Sequence, residues 1–592
     1  MRQYLKEIFE LMGKDRKKLP WLLTLFFVTS FLDVLGIGLI APYVSLVVQP
    51  ELALDFFAKY PLWLDLPKDV SSMLIIMSGV LLGVFIVKTV SAIWINYKIL
   101  QFTAALRIRL STRLMESYQN LPYVEYLRRN SSEYIHTTQN LVADYANGAI
   151  QTGLGMVSNG IVAIAILLML AYTDLMAFLL LCGLLSLFLF YYDRLFRKKI
   201  RLLGVNSNLA SIKMVKGIHE GLDGLKEIRV LGNEEHFLNQ VKEGITDASN
   251  FNMQSTVIGL IPRYLIELIL IMFVVLLVSS SLIMGKNLQQ LLPTLAIFGL
   301  ASVRLLPIAN ILSNGLIKFR YNRDGVSRLF KDVISLDDVL TIQKDLPQNR
   351  NSEKSFKELS LESISFIYPN AKHNALLNIS LKIKRGDSIG IIGESGSGKT
   401  TLIDAILGML KPNSGEIYFN GSPLNKEMYN WHRQVAYLPQ EIFLVDDKLK
   451  NNVALGVDEK DIDVKLLNDS LERASLSELI NQLPDGIDTV LGERGVRLSG
   501  GQRQRISLAR AFYHKRDILV LDESTSALDH ETEKEIVDEI KRLKGDVTMI
   551  VIAHRFSTIE NCDVIYRIKN GEIVDSGFPD DMLGLNNKYR GQ

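Results

Sequence analysis

The residues best suited to chemistry form a glycine-rich run behind a short apolar stretch. Residues 387–392 are typical of a buried strand, and 401–410 of an apolar helix. Between them the chain reads Gly393, Glu394, Ser395, Gly396, Ser397, Gly398, Lys399, Thr400 and Thr401. This Gly-x4-Gly-Lys-Thr pattern is typical of a phosphate-binding loop, because glycines let backbone N–H groups turn toward an anion at a helix N-terminus. We expect Lys399 to reach the terminal phosphates of a nucleotide and the Thr400 hydroxyl to bind Mg²⁺.

A second apolar strand, at 518–521, ends in two carboxylates that complete this chemistry. Asp522 is placed to bind the same Mg²⁺, and Glu523 to orient and polarise an attacking water. The alternative is an acidic strand end in solvent, which would leave the phosphate loop without its second half. Together the two segments predict a P-loop domain that hydrolyses a nucleoside triphosphate, without saying of which kind.

The kind is indicated by Leu498-Ser499-Gly500-Gly501-Gln502, about 100 residues after the loop and about 20 before Asp522. This run is the signature of ATP-binding-cassette (ABC) proteins, which the chain resembles. The resemblance implies an α/β P-loop cassette that uses ATP and Mg²⁺. It also implies a role for each matching position: catalysis by Glu523, His554 and Gln440, Mg²⁺ binding by Thr400, Gln440 and Asp522, and ATP binding by Tyr368, Ser499, Gly500, Gly501, Gln502 and Asp529 beside the phosphate loop.

The signature run precedes a helix, so its free N–H groups and positive dipole end are suited to hold a γ-phosphate. In the family two cassettes meet head to tail, with ATP between the phosphate loop of one and the signature of the other. One chain here carries one cassette, and every catalytic position is intact, so the resemblance implies a homodimer. A heterodimer whose partner carries a degenerate site is the open alternative.

The rest of the chain is a membrane protein by composition. Hydrophobic residues make up 48% of the 592 residues although charged residues still reach 22%. Two cysteines exclude a disulfide scaffold or a cysteine-rich metal site, and a net charge of +2 gives no case for nucleic acid. Disorder, a coiled coil and a small secreted protein are also excluded. Six apolar stretches are long enough to cross a bilayer, at 20–48, 72–96, 150–173, 175–192, 257–284 and 288–316.

Basic residues concentrate in alternate connections between these spans, which predicts both termini and the cassette on the cytoplasmic side of the inner membrane. The predicted domains are a transmembrane domain at 1–340, a linker at 341–357 and the cassette at 358–592. Spans two to five are expected to continue as helices into the cytoplasm, with turns near 126–134 and 223–237 resting on the cassettes. The pattern of residues 51–68 predicts either a short amphipathic helix at the outer membrane surface or a solvated loop. Residues 4–12 have a similar pattern on the inner side.

Three cations stand inside the predicted spans, where an ionised group costs about 2.5–3.5 kcal/mol. Lys88, Arg263 and Arg304 all fall in the inner half of the bilayer, which favours an anionic ligand such as a phosphate or pyrophosphate. The alternative is internal pairing. Glu267 follows Arg263 by four residues and could neutralise it, and Asp33 could pair with Lys88, whereas Arg304 has no evident partner in the membrane.

Spans fused ahead of the cassette resemble ABC exporters of the type IV fold, which implies an all-α six-helix transmembrane domain. The stretches 31–33, 41–43, 261–264 and 303–310 resemble bacterial flippases of lipid-linked oligosaccharides used in protein glycosylation. That resemblance implies ATP-driven movement of a polyprenyl-pyrophosphate glycan from the inner to the outer leaflet. Export of a peptide, lipid or drug is the alternative. An ATP-gated channel or regulator is a third possibility, against which the intact Glu523 and His554 argue.

Overall fold

The computed structural model describes residues 2–48, 69–283, 288–344, 355–369, 371–492, 495–496, 498–522, 534, 537–539, 541–552 and 559–584. The chain divides into two compact units. The first comprises Met1–Leu121 with Arg129–Leu340, and the second comprises Pro122–Arg128 with Thr341–Gln592. The predicted outer segment 51–68 lies outside the described residues.

The described residues of the first unit are helical except at short turns between helices. Its α-helices are Arg2–Met12, Leu19–Val48, Val70–Gln119, Ser131–His136, Thr152–Thr173, Leu175–Asp223, Leu225–Leu231, Glu234–Ile283, Leu288–Tyr321 and Arg323–Lys344. A 3-10 segment, Gly13–Lys18, joins the first two, and π-helical segments at Thr137–Leu141 and Asp144–Gln151 lead into the fifth. The last helix continues through the first residues of the predicted linker, to Lys344.

Five helical stretches of the described chain are long and apolar enough to cross a membrane: Arg2–Ile40, Val70–Gln119, Ser131–Tyr172, Leu175–Asp223 and Glu234–Ser279. The sixth predicted span falls on the helix Leu288–Tyr321. The helix Val70–Gln119 has 50 residues, or about 75 Å at 1.5 Å per residue. Because the hydrocarbon core is only about 30 Å thick, such helices extend well beyond it, as predicted.

Local chemistry explains where these helices end and how closely they pack. Asp174 separates two of them, and its carboxylate accepts hydrogen bonds from the backbone N–H groups of Met176 and Ala177 at 3.0 and 3.1 Å, which caps the second helix. Gly204 lies against the backbone carbonyl of Tyr321, where a Cβ atom would collide. The helices Leu175–Asp223 and Leu288–Tyr321 therefore approach each other closely at this point.

The second unit contains two sheets. The strands are β1 (Glu358–Phe366), β2 (Leu376–Lys384), β3 (Ser388–Ile392), β4 (Ser414–Phe419), β5 (Ser422–Pro423), β6 (Val435–Leu438), β7 (Ile518–Asp522), β8 (Thr548–Ile552), β9 (Val564–Lys569) and β10 (Glu572–Gly577). An antiparallel sheet has the order β2-β1-β4-β5. The other has the order β10-β9-β3-β8-β7-β6, and it is parallel except for β10.

The α-helices of this unit are Tyr123–Tyr126, Lys399–Ile406, Leu424–Gln434, Leu449–Val453, Val464–Arg473, Ser477–Gln482, Gly500–Tyr513 and Pro579–Gly584. A core cluster that joins residues of both sheets includes the fully buried aromatic rings of Phe356, Phe419 and Trp431. Strands β7 and β8 are buried at every residue, as expected for parallel strands covered on both faces. Because carboxyl ends of parallel strands meet at one edge, the residues after β3, β7 and β6 share that edge.

Candidate functional site

The phosphate loop lies between β3 and the helix Lys399–Ile406, where the sequence predicts it. Gly396 and Gly398 have φ angles of 78° and 108°, a region that favours glycine. A Cβ on Gly398 would lie 2.5 Å from the carbonyl oxygen of Ala375. The glycines therefore allow both the turn and the close approach of a neighbouring strand.

Two side chains of the loop can donate hydrogen bonds to a bound anion. The ammonium of Lys399, a residue only 7% exposed, donates to the carbonyl oxygens of Gly393 and Glu394, both at 3.0 Å. Ser397 is also buried, and its Oγ has no hydrogen-bond partner among the described residues. A buried hydroxyl without a partner is costly in a folded protein. The loop thus fits a phosphate group, which would accept hydrogen bonds from both side chains.

The carboxyl end of β7 carries Asp522, the residue predicted to bind Mg²⁺. Asp522 is 7% exposed, and its Oδ2 accepts a hydrogen bond from the hydroxyl of Tyr437 at 3.1 Å. Tyr437 lies on β6, which pairs with β7, and Gln440 follows the same strand. A threonine hydroxyl and carboxylate oxygens form a hard donor set that suits Mg²⁺. Thr400 and Asp522 would hold the ion.

A further carboxylate in this region was not anticipated. Asp404 follows Thr400 by one helical turn, and burial together with the nearby charge of Asp522 raises the pKa of its carboxyl to about 6. Two carboxylates in a partly buried site repel each other when both are ionised. The spacing of four residues on one helix face is the sequence signal that could have found Asp404.

Tyr368, which is predicted to stack on adenine, lies beside the helix that follows the phosphate loop. Its ring contacts Phe366 edge to face at 5.0 Å between centroids, and its hydroxyl lies 3.4 Å from Oγ1 of Thr401. The short helix Tyr123–Tyr126 belongs to the same unit, and Val124 packs against the sheet core. Burial raises the pKa of Tyr123, and the charges of Asp404 and Tyr368 raise it further.

This short helix corrects one expectation. The first turn expected to rest on the cassettes is predicted near 126–134, whereas the segment that groups with the second unit is Pro122–Arg128, so the two overlap only at 126–128. Arg129 instead pairs with Asp332 in the first unit. The polar composition of the whole stretch hid this boundary, because only packing separates Val124 from the residues after it.

The ABC signature opens a helix, as predicted. Ser499 is the N-cap of Gly500–Tyr513, and its Oγ accepts a hydrogen bond from the N–H of Gln502 at 3.2 Å. The Gln502 side chain in turn accepts from the N–H of Ser499 at 2.8 Å. This reciprocal capping box fixes the helix start and presents the first-turn N–H groups of Gly500 and Gly501 at its end. Glu523, Asp529 and His554 lie outside the described residues and remain sequence predictions.

Two of the candidate substrate cations share one carboxylate: Lys88 pairs with Asp33, which is the alternative considered from the sequence, and Arg304 pairs with Asp33 as well. Nζ of Lys88 lies 2.5 Å from Oδ1 of Asp33, and Nη2 of Arg304 lies 2.5 Å from the same oxygen. The expectation that Arg304 has no partner in the membrane is therefore wrong. A sequence pattern could not reveal this pair, since it depends on which faces of three separate helices meet.

Arg263 also departs from the pairing considered above. Among the described residues it forms an ion pair with neither Glu267 nor any other carboxylate, and its guanidinium lies 5.9 Å from the ring centroid of Tyr264. Both Arg263 and Glu267 are exposed within this single chain. Arg263 is thus available to a ligand, while Lys88 and Arg304 share one carboxylate.

Comparison with known proteins places these observations in a family. A family model described as ABC transporter matches residues 376–526, which include the phosphate loop, the signature and Asp522. A protein of Pasteurella multocida named ATP-dependent lipid A-core flippase is 30% identical over 510 residues, covering 84% of this chain and 83% of that protein. A protein of the same name from Ralstonia nicotianae is 28% identical, covering 87% and 86%.

Among solved structures, a bacterial Atm1-family ABC exporter with ATP bound superposes with a TM-score of 0.75 at 18% identity, covering 96% of each chain. The match confirms the predicted fold class of a helical membrane unit fused to a cassette. The nearly complete coverage of both chains leaves neither unit unmatched. The chain therefore belongs to the ABC transporter family, and it is an exporter whose membrane helices are fused to an ATPase domain coupled to substrate translocation.

Proposed function

We propose that this exporter is an ATP-driven flippase that moves a lipid with an anionic head group from the inner to the outer leaflet of the cytoplasmic membrane. Its leading substrate is a polyprenyl-pyrophosphate-linked oligosaccharide. The observation that carries the proposal is the single carboxylate of Asp33 shared by Lys88 and Arg304.

The charge balance favours an anionic ligand. One carboxylate neutralises one of the two cations, so the cluster keeps one positive charge within the predicted spans, where an ionised group costs about 2.5–3.5 kcal/mol. The Lys88 and Asp33 side chains are only 10% and 16% exposed, whereas the Arg304 side chain is 43% exposed. Arg304 is thus the more accessible cation, and Arg263 adds a second one. A phosphate or pyrophosphate would compensate these charges.

Two lines of similarity support the lipid class. Relatives that cover most of the chain are named ATP-dependent lipid A-core flippases. The membrane stretches 31–33, 261–264 and 303–310 resemble flippases of lipid-linked oligosaccharides. Both groups move an amphiphile between leaflets. We propose the pyrophosphate-linked glycan rather than a lipid A-core because the stretches that resemble the oligosaccharide flippases contain the charged residues Asp33, Arg263 and Arg304.

The cassette would drive this movement through residues whose geometry suits phosphate transfer. Bound Mg²⁺ supplies neutralising charge to the phosphates of ATP. Lys399 and Ser397 donate hydrogen bonds to phosphate oxygens, while Thr400, Asp522 and Gln440 hold the metal side. Glu523 polarises the attacking water, and His554 contacts the γ-phosphate. Tyr368 stacks on adenine, and Asp529 lies at the contact between cassettes.

We further propose a homodimer in which each ATP lies between the phosphate loop of one chain and Ser499, Gly500, Gly501 and Gln502 of the other. A chain carrying Lys399→Ala and a differently tagged chain carrying Ser499→Arg test this arrangement. Each variant alone has two damaged sites, but the mixed dimer has one complete site. ATPase activity should reappear in the doubly tagged fraction. If that fraction is as inactive as either variant, the shared-site dimer is wrong.

The substrate proposal is tested by reconstitution in liposomes with a fluorescent polyprenyl-pyrophosphate glycan, whose exposure on the far side is followed after ATP addition. Parallel arms use the same glycan on an uncharged polyprenol, and lipid A-core. The proposal expects ATP-dependent exposure of the pyrophosphate lipid and little of the uncharged one. Equal movement of both would overturn the anionic-head argument, and movement of lipid A-core alone would overturn the choice of glycan lipid. A Glu523→Gln chain provides the control without turnover.

A further inference from the structure

The helical unit contains a cationic cavity apart from the Asp33 cluster. Its volume is about 320 Å³, at the small end of ligand sites. Five cationic side chains line it: Arg197, Lys198, Arg201, Arg320 and Arg323. Arg320 pairs with Asp193, but none of the other four forms an ion pair with a carboxylate in the described chain. Such a concentration of like charge around one cavity calls for an anion.

Two residues that line the cavity also carry polar hydrogens without acceptors. Tyr4 is 2% exposed, and its hydroxyl has no hydrogen-bond partner within the described residues. The Nε of Arg320, whose side chain is 13% exposed, likewise lacks one there. Glu7, the nearest carboxylate on the same helix, already accepts a hydrogen bond from Ser327 at 2.6 Å. Buried donors of this kind are normally satisfied, so the two point to a ligand with oxygen acceptors.

The ring of Tyr4 is held in place by its neighbours. The Tyr4 ring contacts Phe319 edge to face at 4.8 Å between centroids. The guanidinium of Arg323 lies 5.9 Å from the centroid of the Tyr4 ring. The ring that carries the buried hydroxyl is therefore packed against Phe319 and Arg323. Packing of this kind lowers the entropy that a side chain loses when a ligand binds.

The position of the cavity along the chain identifies the source of the anion. Arg197 follows the end of the fourth predicted span at Tyr192 by five residues, about 8 Å along the helix. Phe319 follows the end of the sixth at Leu316 by three. Tyr4 belongs to the amphipathic helix predicted on the inner side, and the structure has a helix there, Arg2–Met12. All three parts lie where the predicted spans meet the cytoplasm, the level of lipid phosphates.

We propose that this cavity binds the phosphate group of an anionic membrane lipid in the inner leaflet, at a site separate from the transported substrate. The lipid phosphate accepts hydrogen bonds from Tyr4 and Arg320, and the surrounding cations compensate its charge. Because Tyr4, Arg201 and Arg323 come from three different helices, the bound lipid ties the inner ends of these helices together.

The test uses the full chain in detergent, titrated with phosphatidylglycerol and examined by intact-complex mass spectrometry. The Arg201→Gln/Arg323→Gln variant should lose one tightly bound phosphatidylglycerol per chain. Tyr4→Phe, which keeps the ring and removes only the hydroxyl, should weaken that binding by about tenfold. The matched control is Arg194→Gln/Lys199→Gln, which removes two exposed cations from the same long helix outside the cavity. It should bind like the unmodified chain.

Further arms separate the sources of the anion. Phosphatidylcholine should not occupy the site, and inorganic phosphate at the same concentration should not displace phosphatidylglycerol. Full retention of lipid by both cavity variants, or equal loss in the control, would overturn the proposal. Displacement by inorganic phosphate would make the cavity a site for a soluble anion and would also overturn it. Tyr4→Phe keeps the test usable if the double variant does not fold.

Discussion

Asp33 holds Lys88 through a single carboxylate oxygen, Oδ1, at 2.5 Å from Nζ. The same oxygen lies 2.5 Å from Nη2 of Arg304, so the carboxylate serves two cations from two other helices. An anionic ligand would compete with Asp33 for these cations. Under the proposed function Asp33 would be an internal substitute for the ligand, and the first two predictions test this role.

Asp33→Asn should lower the stability of the chain. The substitution leaves the mostly buried ammonium of Lys88 without a carboxylate, and breaking one partner of a buried pair costs about 3–5 kcal/mol. The midpoint of thermal unfolding in detergent should fall. Asp193→Asn, which removes the carboxylate that pairs with Arg320, provides a comparison. An unchanged thermal midpoint for Asp33→Asn would show that the Lys88–Asp33 pair does not contribute to stability.

Lys88→Gln combined with Asp33→Asn should recover much of that stability while lowering transport. The two neutral side chains leave no mostly buried charge unpaired, and one of the proposed ligand-binding cations is gone, while Arg304 and Arg263 keep their charges. We expect the thermal midpoint to rise above that of Asp33→Asn, with a higher half-saturating substrate concentration. If the half-saturating concentration of the pyrophosphate lipid equals that of the unmodified chain, Lys88 does not take part in substrate binding.

Tyr437→Phe should lower the affinity of the ATPase site for Mg²⁺. The hydroxyl of Tyr437 orients Asp522 at 3.1 Å, and loss of a partner that orients a metal ligand typically costs about tenfold in metal affinity. The measurement is ATPase activity against Mg²⁺ concentration, with saturation shifted upward. Tyr429→Phe on the helix Leu424–Gln434 is the matched control. If the ATPase activity of both variants reaches saturation at the same Mg²⁺ concentration, the Tyr437 hydroxyl does not support the metal site.

Asp404→Asn should stabilise the chain in metal-free buffer at neutral pH. Burial and Asp522 raise the pKa of Asp404 to about 6, so the folded state opposes an ionisation that occurs readily in the unfolded state. Stability is thereby lost as the pH rises toward and past that pKa. The thermal midpoint of the variant should exceed that of the unmodified chain at about pH 7.5, and the difference should shrink toward about pH 5. A constant difference would attribute the effect to packing.

Glu523→Gln should leave ATP binding intact and reduce hydrolysis by about 10²–10⁴-fold, the usual contribution of a general base. Glutamine keeps the size and the hydrogen-bonding capacity of the side chain but cannot take a proton from water. Binding is measured with a fluorescent nucleotide, and turnover by phosphate release. Undiminished turnover would remove Glu523 from catalysis.

Some features could be predicted from the sequence because short-range patterns determine them. The phosphate loop requires glycines at particular backbone angles, and the Ser499–Gln502 capping box depends on residues three apart. Apolar runs long enough to cross a bilayer are likewise visible in the sequence alone. These features depend on hydrogen bonds and solvation within a few turns of one element, so local composition determined them.

Only the tertiary structure decided which distant side chains meet. Arg304 reaches Asp33 because three helices present their charged faces together, and no spacing in the chain encodes the rotation of one helix against another. Tyr437 reaches Asp522 because β6 lies beside β7, an order that sequence does not state. The cavity beside Tyr4 is lined by residues of four helices, which bring together positions 4, 197–201 and 319–323. Long-range packing sets each of these contacts, and it minimises the energy of the whole fold rather than that of any single segment.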